Sequence, residues 1–144
     1  MAQALIYEET IGAHPDYAPA FINLGTIHFK ARAFKQAEYL YRRAIEVDPG
    51  SALAFFNLGN VLEEMGSIPE AIAAYEQAVV LAPRYADPLY NLALIYHRSL
   101  RCGYTCASDH IRAALLIRRL CCLLQTDRLL VSLGCKRERA LKFA

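Results

Sequence analysis

Apolar residues recur through the first hundred residues at steps of three and four, with polar and charged residues between them. Phe21 and Leu24 show this spacing in one stretch, and Ala37, Tyr41 and Ala44 show it in the next. Side chains spaced in this way share one face of an α-helix, so each stretch is predicted to be an amphipathic helix. The pattern therefore predicts an all-α chain of short helices.

Prolines and small polar residues mark where these helices end and begin. Since proline cannot continue a helix, one helix is predicted to end before Pro49 and another before Pro83. The sequence GSIPE at 66–70 predicts a turn followed by a helix start. Ser67 and Glu70 have the spacing of a capping box there, and the proline between them suits the first turn.

The helical pattern repeats at a fixed interval, since Asn23, Asn57 and Asn91 follow one another at steps of 34 residues. A glycine inside a helix costs about 1 kcal/mol relative to alanine, so Gly25 and Gly59 are expected where another helix passes close by. Large side chains should fill the space around these crossings. The positions in register are Phe21, Phe55 and Leu89; Leu24, Leu58 and Leu92; Gly25, Gly59 and Ala93; Ala37 and Ala71; Tyr41 and Tyr75; Ala44 and Ala78; Pro49 and Pro83.

This repeat resembles the tetratricopeptide repeat (TPR) family. The resemblance implies an all-α, TPR-type helix-turn-helix solenoid, a right-handed superhelical stack with a C-terminal helical extension. Tyr7 aligns with Tyr41 and Pro15 with Pro49, so the start of the chain resembles the second half of a repeat. The expected organisation is a partial repeat or N-terminal cap helix at 1–16, repeats at 17–51 and 52–85, a degenerate repeat at 86–125 and a basic extension at 126–144.

The resemblance also implies a protein-protein interaction module, a scaffold or adaptor that binds a peptide or partner protein in a concave groove lined by the first helix of each repeat. Asn23, Asn57 and Asn91 share one groove position, and each amide offers two donors and one acceptor. A row of them can pair with the backbone of an extended peptide; alternatively, each orders the stack by bonding its neighbouring helix. The remaining expected groove residues are Ile22, Thr26, Phe29, Lys30, Phe56, Asn60, Glu63, Glu64, Tyr90, Leu94, His97 and Arg98.

Some groove residues have an alternative role in packing, and one charge in the groove disfavours a particular class of ligand. Ile22, Phe56 and Tyr90 either supply apolar contact area to a ligand or pack one repeat on the next. TPR modules that clamp the terminal carboxylate of chaperones place Lys and Arg in the groove, whereas this chain has Asp87 at one such position. A chaperone-tail clamp is therefore disfavoured.

Charge is distributed unevenly along the chain of 144 residues, whose formal net charge is +2. Residues 1–100 hold 7 Lys and Arg against 11 Asp and Glu, a net of −4, and residues 101–144 hold 9 against 3, a net of +6. A basic C-terminal region offers an alternative function, binding to nucleic acid or an anionic surface. Few aromatic residues interleave with these charges, so peptide binding is favoured. The apolar stretch 113–124 offers a further alternative, either as a cap on the last repeat or as a surface for homo-oligomerisation.

All five cysteines lie beyond residue 100. An odd number without a visible signal peptide favours reduced thiols and a cytoplasmic location. Cys102, Cys106 and His110 are spaced by four, yet no clear fourth ligand accompanies them, so neither a metal nor another cofactor is expected. No nucleophile with its base and no glycine-rich phosphate loop is visible, so an enzyme is not expected, and no stretch is apolar enough to predict a membrane span.

Overall fold

The computed structural model describes residues 2–101 and residue 115. Within these residues the secondary structure is entirely helical, which confirms the all-α prediction. The part of the predicted degenerate repeat beyond residue 101 and the basic extension at 126–144 lie outside the described residues, except for Leu115, which is helical and exposed. The helices are α1 (Ala2–Ala13), α2 (Ala18–Lys30), α3 (Phe34–Val47), α4 (Ala52–Glu64), α5 (Ile68–Leu81) and α6 (Ala86–Arg101).

The chain divides into two compact units, Met1–Pro83 and Arg84–Ala144. In the first unit α2 pairs with α3 and α4 pairs with α5, so each pair forms one repeat. The second helix of the first repeat also packs on the first helix of the next, and α1 packs on α2 in the same way. The second unit contains α6, on which Leu89, Leu92 and Ala93 are buried.

Gly25 and Gly59 allow the two helices of each repeat to approach closely. A Cβ at Gly25 would lie 2.7 Å from Cε1 of Tyr41, and a Cβ at Gly59 would lie 2.5 Å from Cε1 of Tyr75. Tyr41 is 2% exposed and Tyr75 is 0% exposed, so each ring fills the crossing between its helix and the first helix of the repeat. The predicted role of these glycines and tyrosines is confirmed.

The first helices of both repeats end in the same turn. After α2 the amide of Arg32 donates to the carbonyl of Phe29 at 3.0 Å, and the amide of Ala33 donates to that of His28 at 2.9 Å. The second repeat makes the same two bonds after α4. The amide of Gly66 donates to the carbonyl of Glu63 at 3.0 Å, and the amide of Ser67 donates to that of Leu62 at 2.9 Å. These bonds form a Schellman motif, which requires a left-handed residue, and φ is +60° at Arg32 and +80° at Gly66.

Helix α3 ends at Val47 and α5 ends at Leu81, which confirms the helix ends predicted before Pro49 and Pro83. The predicted capping box is wrong in one respect. Ser67 is the N-cap of α5, but its side chain makes no capping hydrogen bond. Its ψ of 63° departs from the extended conformation, whereas Ser51, with ψ of 92°, accepts a hydrogen bond from the amide of Ala54.

Candidate functional site

Asn23 and Asn57 lie at the same position on two helices that contact each other, α2 and α4. Asn23 is exposed and Asn57 is half-buried. Neither side chain hydrogen-bonds another residue in the part of the chain that the structure describes. Their amide groups therefore remain available to a ligand, with two donors and an acceptor on each.

The position three residues further along each helix has a different role, because it binds the tyrosine of the same repeat. The hydroxyl of Thr26 lies 3.1 Å from that of Tyr41 and 2.9 Å from the carbonyl of Ile22. Since threonine has one hydroxyl proton, it donates to the carbonyl of Ile22 and accepts from Tyr41. Thr26 therefore joins the two helices of the first repeat.

Asn60 does the same in the second repeat. The hydroxyl of Tyr75 lies 2.7 Å from Oδ1 of Asn60 and 3.0 Å from Oε2 of Glu63. A phenol has one proton, so Tyr75 donates it to one of these two oxygens at a time, and both Asn60 and Glu63 are acceptors for it. Thr26, Asn60 and Glu63 therefore connect the two helices of their repeat through the tyrosine hydroxyl.

The aromatic and aliphatic residues expected in the groove differ in how much surface they present. Ile22 is 7% exposed and therefore offers little area to a ligand. Phe56 is half-buried, and its ring centroid lies 6.0 Å from that of Tyr75. Phe29 is half-buried as well, 5.8 Å from the ring of Phe34. The two phenylalanines can contact a ligand with one part of the ring while the other packs within the repeat.

Charges of both signs surround the C-terminal ends of α2 and α4. Lys30 is exposed at the end of α2. At the end of α4, Glu64 pairs with Arg32, whose Nη1 lies 3.3 Å from its Oε2. The guanidinium carbon of Arg32 also lies 5.7 Å from the centroid of the Phe34 ring. Arg32 was not predicted as a site residue. It aligns with Gly66, so a long charged side chain occupies the position of a turn glycine, and this replacement is the sequence feature that indicates it.

The remaining groove candidates lie on α6 in the second unit. Tyr90 and Arg98 are exposed there, and Asn91, Leu94 and His97 are half-buried. A residue near the start of the same helix, Tyr85, has a raised pKa, first because it is partly buried and second because the carboxylate of Asp87 is nearby.

A separate open depression of about 430 Å³ lies between α1, α2 and α3. None of the predicted groove residues lines it, so it is distinct from the asparagine positions. Its floor is apolar and its rim carries side chains of both charges. The lining residues are Glu8, Leu24, His28, Lys35, Gln36, Tyr39 and Leu40.

Residues 2–101 and 115 contain no group of three or more His, Cys, Asp or Glu side chains that could hold a metal ion. The cysteine and histidine cluster considered above, Cys102, Cys106 and His110, lies outside the described residues. Among the described helices, none combines the length and the apolar character needed to span a membrane.

Three family models match overlapping parts of this chain. Two described as tetratricopeptide repeat match residues 2–52 and 40–73, and one described as TPR repeat matches residues 64–99. Together they extend over the residues that carry the 34-residue pattern. No curated protein sequence matches the chain significantly.

Solved structures share the fold. The crystal structure of MamA is 20% identical, with a TM-score of 0.73, and the match covers 97% of this chain and 81% of that one. A second structure is YrrB, whose title calls it "a TPR protein with an unusual peptide-binding site". It is 21% identical, with a TM-score of 0.70, over 84% of this chain and 58% of that chain. At these identities the similarity establishes the architecture alone.

Proposed function

This chain is a tetratricopeptide repeat protein, an interaction module built from helical pairs, and on that basis we propose that it binds an extended peptide through the asparagines of its first helices. In this role it acts as a scaffold or adaptor and not as an enzyme. The odd number of cysteines in the full sequence favours a cytoplasmic setting for this role.

The proposal rests on the side-chain amides of Asn23 and Asn57. The two amides recur at one position on contacting helices and have no hydrogen-bond partner among the described residues. Helices stack in a TPR protein so that equivalent positions follow one another. An extended peptide presents alternating backbone donors and acceptors, which match the donors and acceptor of an asparagine side chain.

Contact area for the same ligand comes from apolar side chains on the same helices. Leu53 is 47% exposed on α4, and Phe56 and Phe29 are half-buried. Partly exposed aromatic rings commonly dominate the binding energy of an interface, while polar groups fix the orientation of the ligand. We infer a ligand with a few apolar side chains on an extended backbone.

A second line of support comes from a protein of the same fold. YrrB is described in its title as having a peptide-binding site. The present chain is 21% identical to it and spans 58% of its length, so the comparison supports peptide binding as a class and does not transfer the residues.

The proposal is tested with peptides selected against the full-length chain from a random library displayed on phage. Affinity is then measured by fluorescence anisotropy for the original chain and for the chain carrying Asn23→Ala and Asn57→Ala together. We expect the double variant to bind about tenfold more weakly, since each lost hydrogen bond contributes about 0.5–1.5 kcal/mol.

A matched control replaces two exposed polar residues on a second helix, Glu76→Ala and Gln77→Ala in α5. This control should bind like the original chain. Unchanged affinity in the asparagine variant, with its helical circular dichroism intact, would show that the peptides bind elsewhere.

A further inference from the structure

The asparagines of α2 and α4 recur at an interval that is set by helix packing. Asn23 and Asn57 occupy one position on two first helices that contact each other. The axes of packed helices lie about 8–10 Å apart, so equivalent positions on them recur at about that distance. A peptide that bonds both amides must therefore present backbone groups on one side at the same interval.

Two extended peptide conformations differ in how well they match this interval. A β-strand rises about 3.3 Å per residue and repeats at every second residue, so equivalent groups recur at about 6.6 Å and next at about 13 Å. A polyproline II helix rises about 3.1 Å per residue with three residues per turn, so equivalent groups recur at about 9.3 Å. The polyproline II helix therefore matches the spacing of the asparagines, and the β-strand does not.

Apolar side chains recur beside the asparagines at the same interval. Pro19 and Leu53 each precede an asparagine by four residues, which places them one turn away on the same face of the helix. Pro19 is exposed, and Leu53 is 47% exposed. Phe56, which is half-buried, shares this face of α4. Proline-rich peptides dock on apolar and aromatic surfaces of this kind.

We propose that the ligand of Asn23 and Asn57 is a proline-rich peptide in the polyproline II conformation, with proline at every third residue. This inference rests on the proposed function, because it specifies the peptide that binds at the same site. Two peptide carbonyls three residues apart accept hydrogen bonds from the amide NH₂ groups of Asn23 and Asn57. Two prolines with the same separation pack on Pro19 and Leu53.

The backbone of such a ligand suits an all-helical surface. A polyproline II peptide has no internal hydrogen bonds, so its carbonyls are available to the asparagines, and proline fixes φ before binding. The peptide therefore loses less conformational freedom on binding than a flexible chain does. A β-strand ligand would instead gain affinity by pairing with a sheet edge, and the described residues contain only helices.

The spacing is tested with two fluorescein-labelled peptides of equal length, one of four Pro-Ala-Ala units and one of six Pro-Ala units. The second contains more prolines, yet none of them is followed by another proline three residues later. Fluorescence anisotropy is measured on titration with the full-length chain. We expect the Pro-Ala-Ala peptide to bind at least about fivefold more tightly, because only its prolines match the interval between α2 and α4.

The conformation is tested with a third peptide, in which the two central prolines of the Pro-Ala-Ala peptide are D-proline. This change keeps the composition but interrupts the left-handed polyproline II helix, so binding should weaken at least about fivefold.

On the protein, Leu53→Ser removes one of the two apolar surfaces and should weaken binding of the Pro-Ala-Ala peptide at least about fivefold. The matched control is Leu5→Ser, the same substitution at a leucine of α1 that is 59% exposed, which should leave the affinity within about twofold. Both leucines are exposed, so the core stays intact, and circular dichroism verifies this.

Equal binding of the Pro-Ala-Ala and Pro-Ala peptides, or equal binding of the D-proline peptide, would overturn this inference. Peptides selected from the phage library provide a separate outcome. Selected peptides that depend on Asn23 and Asn57 but lack prolines three residues apart would overturn the polyproline II ligand and leave the proposed function in place. Selected peptides that bind the asparagine double variant as tightly as the original chain would overturn both.

Discussion

Gly25 and Gly59 determine how closely the two helices of a repeat can approach. Each is buried, and each faces a tyrosine ring at a distance that excludes a methyl group without movement of the ring or the helix. The tyrosines are enclosed, so movement is costly in a close-packed core. The helix propensity lost at each glycine is therefore offset by contact between the helices.

Substitution of Gly59 by alanine is expected to destabilise the chain. The new Cβ would lie 2.5 Å from Cε1 of Tyr75, and overpacking of this kind costs about 1–3 kcal/mol. Alanine regains about 1 kcal/mol of helix propensity, so the net loss in urea unfolding should be at most about 2 kcal/mol. Gly12→Ala is the matched control, because nothing lies within 4 Å of that Cβ and the change should be neutral or stabilising. Equal effects of the two substitutions would contradict the packing role of Gly59.

Tyr41 should make stability depend on pH in the alkaline range. Burial raises the pKa of its phenol above the ordinary value of 10.0, although the hydrogen bond to Thr26 acts in the opposite direction. Above pH 10.0 the unfolded chain therefore loses this proton while the folded chain keeps it. Because the unfolded state then binds fewer protons, the free energy of unfolding falls as pH rises toward the folded pKa.

We expect Tyr41→Phe to reduce this loss, so that the difference in urea stability between pH 9 and about pH 11 is smaller than in the original chain. Removal of the hydroxyl also lowers stability at both pH values by about 0.5–1.5 kcal/mol, which does not affect the difference between them. Tyr39, which is 63% exposed, provides the control. If Tyr39→Phe changes the pH dependence as much as Tyr41→Phe, burial is not its cause.

The turn between the helices of a repeat depends on backbone conformation more than on contacts. The two left-handed positions, Arg32 and Gly66, make the same hydrogen bonds in successive repeats. Glycine adopts this conformation without steric cost, whereas an L-residue incurs about 1–2 kcal/mol. At Arg32 the cost is partly offset by the ion pair with Glu64 and the contact with the Phe34 ring.

Gly66→Ala is expected to cost about 1 kcal/mol through the backbone alone. Nothing lies within 4 Å of the Cβ that it adds, so packing does not contribute. Gly66→Asn should cost less, since asparagine tolerates the left-handed region better than alanine does. Urea midpoints at constant m-value measure both changes. An alanine variant as stable as the original chain would show that the turn relaxes to another conformation.

The features of these helices that could be predicted from sequence are those with local causes. The apolar period, the prolines and the small residues at the crossings act within one or two turns of helix, and the Gly25–Tyr41 contact follows from their recurrence. The left-handed backbone at Arg32 could not be predicted from residue type, since arginine rarely adopts it. The absent side-chain cap at Ser67 depends on one backbone angle, which the spacing to Glu70 does not report.

The candidate site was less predictable than the fold because its hydrogen bonds connect different helices. Thr26 and Asn60 were expected to face a ligand, yet each contacts a tyrosine fifteen positions further along the chain, a pairing that only the packed structure reveals. Asn23 and Asn57 were expected at the same surface, and their role in ligand binding stays a prediction.

At the scale of the whole chain, the proposed peptide site grows with the number of repeats. The asparagines use a position that recurs on the first helices, so added repeats extend that site by one amide each.

The distribution of charge distinguishes peptide binding from nucleic-acid binding. Around the asparagines of the first unit, Lys30 contributes a positive charge. Glu63 is hydrogen-bonded to Tyr75, and Glu64 is paired with Arg32. Exposed pairs of this kind contribute at most about 1 kcal/mol and are screened by salt, so peptide affinity should change by less than about threefold between about 50 and 500 mM NaCl.

A ligand held by phosphate contacts behaves differently, because counterion release lowers its affinity about 10³–10⁵-fold for 6–10 contacts between about 50 and 200 mM salt. Random-sequence duplex DNA, titrated with the full-length chain over the same salt range, provides the comparison. DNA binding that is tighter than peptide binding at low salt and is lost steeply at high salt would assign the principal function to the basic residues 101–144, whose net charge is 9 − 3 = +6. We expect the opposite order, since the paired helices and their available asparagines form a surface with almost no net charge.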